Sequence, residues 1–221
     1  MADPGHGVDG ELRQIVLLTL QVTGLATALA AVAGIPTGAV VGLFRFRGRG
    51  TVLSLLYTGM GLPPVVVGLA LYLLLSREGP LGALGWLFSP EGMVLAQTLI
   101  AFPVIASLSA AAVGGVDPEL RLQLRALGAQ PWQEGLLVLR EASGGIVAAL
   151  IAGFGSVISE VGAVMMVGGN VKGETRVVTT AIVLETRQGH FELALGLGVV
   201  LLGVTLMASA LLLLLQGRAE R

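Results

Sequence analysis

The sequence predicts an all-α, polytopic transmembrane helix bundle of about five spans. Two observations of composition lead there. Hydrophobic residues make up 54% of the chain and charged ones only 12%, whereas a soluble domain carries roughly a quarter charged residues. Mean hydropathy is correspondingly high, at +0.88. The third observation is pattern. The apolar runs are continuous rather than alternating, and crossing a bilayer core of about 30 Å takes about 20 helical residues. Lipid offers no partner to an open backbone, so such runs close their hydrogen bonds within helices. The 33 glycines fit the same solvent, because small residues let membrane helices approach closely.

The first predicted span runs from about Leu12 to Phe44, with a kink expected near Gly34-Ile35-Pro36. The opening MADPGHGVDG is polar and acidic, unlike a cleavable leader, so the apolar run from Ile15 reads as a true span. The second covers about Thr51 to Ser76 and contains Pro63-Pro64, which together remove two backbone donors and demand a break or kink. The third covers about Met93 to Gly114 and contains Pro103; the fourth covers about Gly144 to Val167; the fifth covers about Phe191 to Leu215. No internal repeat or low-complexity linker divides the chain. The expected organisation is an external tail over 1–11, one transmembrane domain over 12–215 and a cytoplasmic tail over 216–221.

Arginines orient the bundle. Arg45, Arg47 and Arg49 cluster in the first connection, Arg121, Arg125 and Arg140 lie in the third, and Arg218 and Arg221 end the chain. The other side carries Arg13, Arg77, Lys172, Arg176 and Arg187 among more acids (Asp3, Asp9, Glu11, Glu78, Glu91, Glu174, Glu185, Glu192). Positive charge favours the cytoplasm, so the N-terminus is expected outside and the C-terminus inside. Trp86 and Trp132 are expected to mark the interfaces.

The connection over 116–143 is too long for a turn. Asp117-Pro118-Glu119 is a helix start, with an N-cap acid, proline at the first position and acid in the first turn. Leu120, Leu124 and Leu127 follow at helical spacing, with Arg121 and Arg125 on another face, and Gly128 ends the helix. A second helical stretch begins near Pro131. By physics alone, this amphipathic helix either rests on the membrane surface or docks on a partner.

The stretch Leu124-Arg125-Ala126-Leu127-Gly128-Ala129, upstream of Ser159-Glu160-Val161-Gly162-Ala163, resembles the coupling motif of ABC importer permeases. Pro63-Pro64 and Pro103 fit the same family. The family's usual Glu-Ala-Ala is replaced by Leu122-Gln123-Leu124, and its Leu-Pro by Leu139-Arg140. The resemblance implies a type I ABC importer permease-like fold and a homodimer with one path at its interface. It also implies two cytoplasmic ABC ATPase subunits and an extracytoplasmic binding protein. Glu119, Arg121, Leu124, Arg125, Ala126, Leu127, Gly128 and Ala129 would form the ATPase-coupling segment. No GxxxxGK[ST] loop is present, so this chain is expected to be a non-enzymatic transport subunit in the inner membrane. It would need no cofactor of its own, with ATP and magnesium on the partner, and would bind lipid rather than nucleic acid. The segment Val161 to Gly189, with Gly168-Gly169-Asn170, Thr175-Arg176 and Thr179-Thr180-Ala181-Ile182, resembles the tungstate branch of the molybdate/tungstate/sulfate permeases. This implies tungstate or molybdate as cargo. The rivals are another solute (sulfate, methionine, thiamine), a stand-alone secondary transporter, and an intramembrane enzyme. For the last, no nucleophile–base pair or metal-ligand cluster is visible, and His6 and His190 stand apart.

Single residues bear two readings each. Pro63 and Pro64 are either a path-lining break or a plain kink. Ser159 and Glu160 belong either to a gate or to a buried acid satisfied by hydroxyls or backbone N–H groups, and a carboxylate repels an anionic cargo. Asn170 is a turn residue or an anion contact. Thr175, Arg176, Thr179 and Thr180, expected on one helix, either offer donors at the entrance or leave Arg176 to pair with Glu174, Glu185 or a docked protein. No cysteine is present, which excludes disulfides and thiolate chemistry.

Overall fold

A computed structural model describes the backbone of residues 4–219 and the side chains of residues 10–214. Asp3, Asp9, Arg218, Arg221 and the His6 side chain lie outside those described residues. The regular structure of the described residues is all helical, and its first helix, α1, spans Pro4–Leu43. It therefore begins inside the segment expected to be a tail, and it runs through Pro36 as one helix.

The second expected span is two helices, α2 (Arg49–Met60) and α3 (Pro64–Leu75), bent by 96°. The cause is the proline pair. Residues 63 and 64 would donate to the carbonyls of Gly59 and Met60, but neither proline has an N–H. The last turn closes instead through Gly61 N–H to the Thr58 carbonyl at 3.1 Å and Leu62 N–H to the Gly59 carbonyl at 3.3 Å. Pro64 then starts α3 at the first helical position, where a missing N–H costs nothing.

The next helix, α4 (Pro90–Gly114), is capped by Ser89, whose hydroxyl accepts from Gly92 N–H at 3.3 Å. It runs through Pro103 and is the axis of the bundle, touching α1, α2 and α3 as well as the helices that follow. Two short helices come next, α5 (Pro118–Ala126) and α6 (Pro131–Glu141), and α6 turns by 58° into α7 (Ser143–Ile158). The fourth expected span is also broken, because α7 stops at Ile158 and α8 resumes over Gly162–Gly168. The chain continues through α9 (Val178–Gln188) to α10 (Phe191–Ala219), which extends into the expected C-terminal tail. Among the described residues, three helices are long and apolar enough to cross a membrane, and five crossings result if each bent pair counts as one.

The tightest contact is between α1 and α4, which run parallel. Gly34, Gly38 and Gly42 form a stripe at four-residue spacing on α1. A Cβ on Gly38 would lie 2.5 Å from the Ala106 carbonyl oxygen and 2.7 Å from Ser109 Cβ. A Cβ on Gly42 would lie 2.7 Å from Val113 Cβ. Backbone thus meets backbone, the packing that small residues permit in membranes. Arginines close the ends of both helices. Arg49 Nε donates to the Val41 carbonyl at 2.7 Å and Arg121 to the Val113 carbonyl at 3.1 Å, where the helix C-termini favour cations.

By contrast, α10 leans mainly on α7 and α9 and leaves Leu195, Val199, Leu202 and Leu206 exposed. An apolar face of this kind suits a hydrocarbon solvent.

Replacing Gly38 with valine is expected to force α1 from α4 and to cost about 1–3 kcal/mol. Thermal unfolding in detergent should show a lower midpoint than for Gly24→Val, a position where a Cβ meets nothing within 4 Å. Equal midpoints would remove the seam from this role.

Candidate functional site: two facing helix breaks and an exposed short helix

The two breaks meet. Pro63 and Pro64 open α3, and Val65 in its first turn faces Gly162 at the start of α8, where a Cβ would lie 2.6 Å from Val65 Cγ2. One turn on, Gly68 leaves so little room that its Cβ would lie 2.6 Å from Ala163 Cα. Pro63, Pro64, Ser159 and Glu160 are therefore neighbours, although the sequence separates them by nearly half the chain.

Glu160 is 9% exposed and lies in the gap between α7 and α8. Its Oε1 accepts from Ala163 N–H at 2.9 Å, so the carboxylate caps the restarted helix. Its backbone carbonyl accepts from Thr179 Oγ1 at 3.0 Å, which ties α9 to the break. The Ser159 hydroxyl turns back to the Gly155 carbonyl at 2.9 Å. The acid is thus held by backbone N–H, as one of the two sequence readings has it.

Gln97, which sequence reasoning missed, completes the break from α4. It is 3% exposed, and its Nε2 donates at 3.1 Å to the Val157 carbonyl in the last turn of α7. A long polar side chain in the middle of an apolar span was the available signal.

The outer residues sort differently from expectation. Thr175 and Arg176 precede α9 rather than share its helix. Thr175 is fully buried; it donates to the Gly168 carbonyl at 2.5 Å and accepts from Val171 N–H at 2.9 Å. The Thr180 hydroxyl donates to the Val177 carbonyl at 3.0 Å and also accepts from Val177 N–H at 3.1 Å. Three hydroxyls expected as possible entrance donors, those of Thr175, Thr179 and Thr180, are thus spent on backbone, because a loop inside a membrane protein must satisfy its own amides. Asn170 adopts φ 55° after Gly169 at φ 71°, which makes the turn. Arg176 pairs with neither Glu174 nor Glu185 but with Glu11, at 3.2 Å. Glu185 instead meets His190 Nδ1 at 2.8 Å.

At the arginine-rich end, α5 touches the bundle through Leu120 and Arg121, and none of its residues is buried. The Asp117 side chain caps it by accepting from Glu119 N–H at 2.8 Å. Leu127 and Gly128 end it. Gly128 sits at φ 83°, Gly128 N–H donates to the Arg125 carbonyl at 3.0 Å, and Ala129 N–H donates to the Leu124 carbonyl at 3.0 Å. This is a left-handed termination that glycine permits. The expected leucine stripe divides. Leu120 packs on Val113, Val116 and Val138, whereas Leu127 is 84% exposed. Leu122, Trp132 and Leu136 are exposed as well, and a cleft of about 570 Å³ lined by Leu124, Leu127, Ala129, Trp132 and Leu136 opens between α5 and α6. Arg125 fastens the two helices with two hydrogen bonds to Glu134, at 2.8 and 2.9 Å. That guanidinium holds the Glu134 carboxyl below its ordinary value of 4.5. A lowered carboxyl stabilises the pair above the ordinary value, and the stabilisation is lost as pH falls through the lowered one.

Glu160→Ala should cost about 0.5–2 kcal/mol through loss of the cap, and Glu160→Gln, which keeps an acceptor, should cost less. Thermal unfolding of both variants tests this, and equal losses would assign the effect to charge instead.

Comparison with known proteins places this geometry in a family. A family model described as "Binding-protein-dependent transport system inner membrane component" matches residues 34–221. The chain is 46% identical over 205 residues to the "Probable anion ABC transporter permease protein" of Haloferax volcanii, covering 90% of this chain and 88% of the relative. It is 38% identical over 208 residues to the tungstate uptake system permease protein TupB of Peptoclostridium acidaminophilum, covering 94% and 91%. A solved structure of the MetNI methionine ABC transporter, described as inward facing, superposes over 100% of both chains with a TM-score of 0.78 at 20% identity, which shows the shared fold. With an all-helical bundle of type I ABC importer permease architecture and a family match over most of its length, this chain belongs to the binding-protein-dependent transport system inner membrane components, the multi-pass permease subunits of ABC transporters.

Proposed function

We propose that this permease moves tungstate or molybdate inward by alternating access driven by a separate ATPase. The observation that carries the coupling half of this reading is α5. A capped, rigid helix with an 84%-exposed leucine at its tip has an apolar surface that water does not favour, and burial of a large aliphatic side chain is worth about 1.5–3 kcal/mol. A groove on an ATPase subunit is the fitting cover, with Glu119, Arg121, Leu124, Arg125, Ala126, Leu127, Gly128 and Ala129 forming or shaping the contact.

Two copies of the chain would enclose one path. Two ATPase subunits, which carry ATP and magnesium, would dock on the two α5 helices, and an external oxyanion-binding protein would deliver cargo. The arginine-rich end of α1, α4 and α5 lies in the cytoplasm in this reading, with the N-terminus outside. When the ATPases close, α5 moves, and the Arg125–Glu134 pair carries that motion to α6 and α7. The facing breaks at Pro63-Pro64 and Ser159-Glu160 are the places where helices would swing, the second by exchanging the Gln97 and Thr179 hydrogen bonds that hold it. Of the outer candidates, Arg176 and Asn170 keep polar atoms without partners among the described residues, whereas Thr175, Thr179 and Thr180 serve as struts. Glu160 is a poor anion ligand, because a carboxylate repels an anionic cargo.

The cargo follows from the relatives. One at 38% identity is named for tungstate, one from Escherichia coli at 32% for molybdenum, and one from Synechocystis at 28% for sulfate. The first two ions match closely in size and charge, and the relatives named for tungstate and molybdenum support them as cargo over sulfate.

Leu127→Asp puts a charge where the apolar tip would be buried. It is expected to weaken association with the ATPase subunits by about tenfold or more, equivalent to about 1.4 kcal/mol, while the unfolding midpoint of the permease stays unchanged. Co-purification and calorimetry measure both, and unweakened association would sink the coupling assignment. Uptake into vesicles loaded with ATP and the ATPase, with binding protein outside, should be saturable by tungstate and molybdate; preference for sulfate would move the cargo to the second reading.

A further inference from the structure

On the face opposite the arginine-rich end, two cations converge on one carboxylate. Lys172 Nζ lies 2.8 Å from Glu11 Oε2, and Arg176 lies 3.2 Å from Glu11 Oε1. Each oxygen of Glu11 thus has its own cation. The three residues come from distant segments, Glu11 on α1 and the others on the loop between α8 and α9.

That loop is built to hold its cations in place. Thr175 pins it to the end of α8 through Gly168 and Val171. Gln14 Nε2 donates to the Gly173 carbonyl at 2.7 Å, and the Thr19 hydroxyl accepts from Val178 N–H at 2.9 Å. The Arg176 side chain is only 16% exposed, and its buried Nε–H has no acceptor among the described residues. Arginine presents a planar set of donors suited to an oxyanion, and here that set is only partly used.

From this geometry we infer that Lys172 and Arg176 form an external oxyanion seat and that Glu11 occupies it as a tethered stand-in for the ligand. A carboxylate offers two oxygens and one negative charge. A tetrahedral dianion offers four oxygens and two charges, so it can replace Glu11 on both cations and also reach donors that Glu11 leaves unused. Lys172 and Arg176 set two positive charges against the one negative charge of Glu11, and Glu185, which lines the same cavity as Glu11 and Arg176, is engaged by His190 Nδ1 at 2.8 Å. Displacing Glu11 frees the outer end of α1 from the α8–α9 loop and leaves Gln14 and Thr19 as the remaining ties. The seat therefore links arrival of an anion at the outer face to loosening between α1 and the loop that follows α8, the half-helix capped by Glu160.

The inference rests on the oxyanion reading of the cargo, and its test separates the two. The permease bound to its ATPase subunits, in phosphatidylcholine nanodiscs, is titrated with sodium tungstate by calorimetry. Glu11→Gln removes the competing charge and is expected to tighten tungstate binding by about tenfold. Lys172→Ala/Arg176→Ala is expected to abolish that increment in the Glu11→Gln background. Unchanged affinity in Glu11→Gln, with normal unfolding midpoints, overturns the seat, whether or not vesicle uptake shows tungstate transport. Sulfate responding as tungstate does supports the seat and leaves the cargo to the uptake assay. A phosphate head group shares this chemistry, so nanodiscs containing phosphatidylglycerol form a second arm. A response confined to that lipid, with none to free tungstate, also overturns the proposal.

Discussion

Everything in the bundle hangs on the backbone contact between α1 and α4. The glycine stripe at 34, 38 and 42 lets α1 approach until Gly38 leaves no space for a methyl group before the Ala106 carbonyl. In lipid there is little hydrophobic gain from bringing two apolar helices together, so close packing must supply the attraction. The partner surface is matched to this, because Ala106, Ser109 and Ala110 are small. Arg49 and Arg121 close the carbonyls at the ends of the pair. Inward-facing residues of α7, α8 and α2 then pack on α4. Gly153 meets Ile105, Gly145 meets Ala112 and Gly59 meets Pro103, each at a distance that excludes a Cβ.

Beside this pair, two stretches are interrupted rather than continuous. The α2–α3 and α7–α8 breaks arise from different chemistry. The first lacks donors, because two prolines follow in succession. The second has its backbone groups taken by side chains: Glu160 caps α8, Gln97 takes the Val157 carbonyl, and Thr179 takes the Glu160 carbonyl. A break satisfied by side chains is inexpensive to keep in a low-dielectric interior, whereas an unsatisfied one is costly. That is why Glu160, Gln97 and Thr179 gather at this break. At the arginine-rich end, the Arg125–Glu134 pair joins α5 to α6, which continues through a 58° turn into α7.

Much of this is legible in individual residues. Asp117-Pro118 and Gly128 mark both ends of α5 because capping chemistry is local, and the structure places each as the sequence has it. Pro63-Pro64 announces a break for the same reason. Gly169-Asn170 announces a turn. The break at Ser159-Glu160 was hidden, since its polar residues sit in an otherwise apolar run and only the position of α4 explains why a helix stops there. The threonines at 175, 179 and 180 show the reverse error. Their spacing suggested a shared donor face, but each hydroxyl is bound to backbone brought near by tertiary packing. Arg176 likewise looked toward acids close in sequence, and its partner is Glu11, at the other end of the chain.

The amino-acid order alone determined the solvent, the helical class, the positions of the long apolar runs, the caps of the short helix and the resemblance to importer permeases. All of these follow from composition and from interactions spanning a few residues, so no knowledge of the fold is required to state them. The tertiary structure alone decided which glycines form the seam, where the fourth run breaks, which hydroxyls remain available and which charges meet. Those outcomes depend on groups far apart in sequence competing for the same backbone amides and the same space. In a membrane interior, where water cannot satisfy the loser, packing decides that competition.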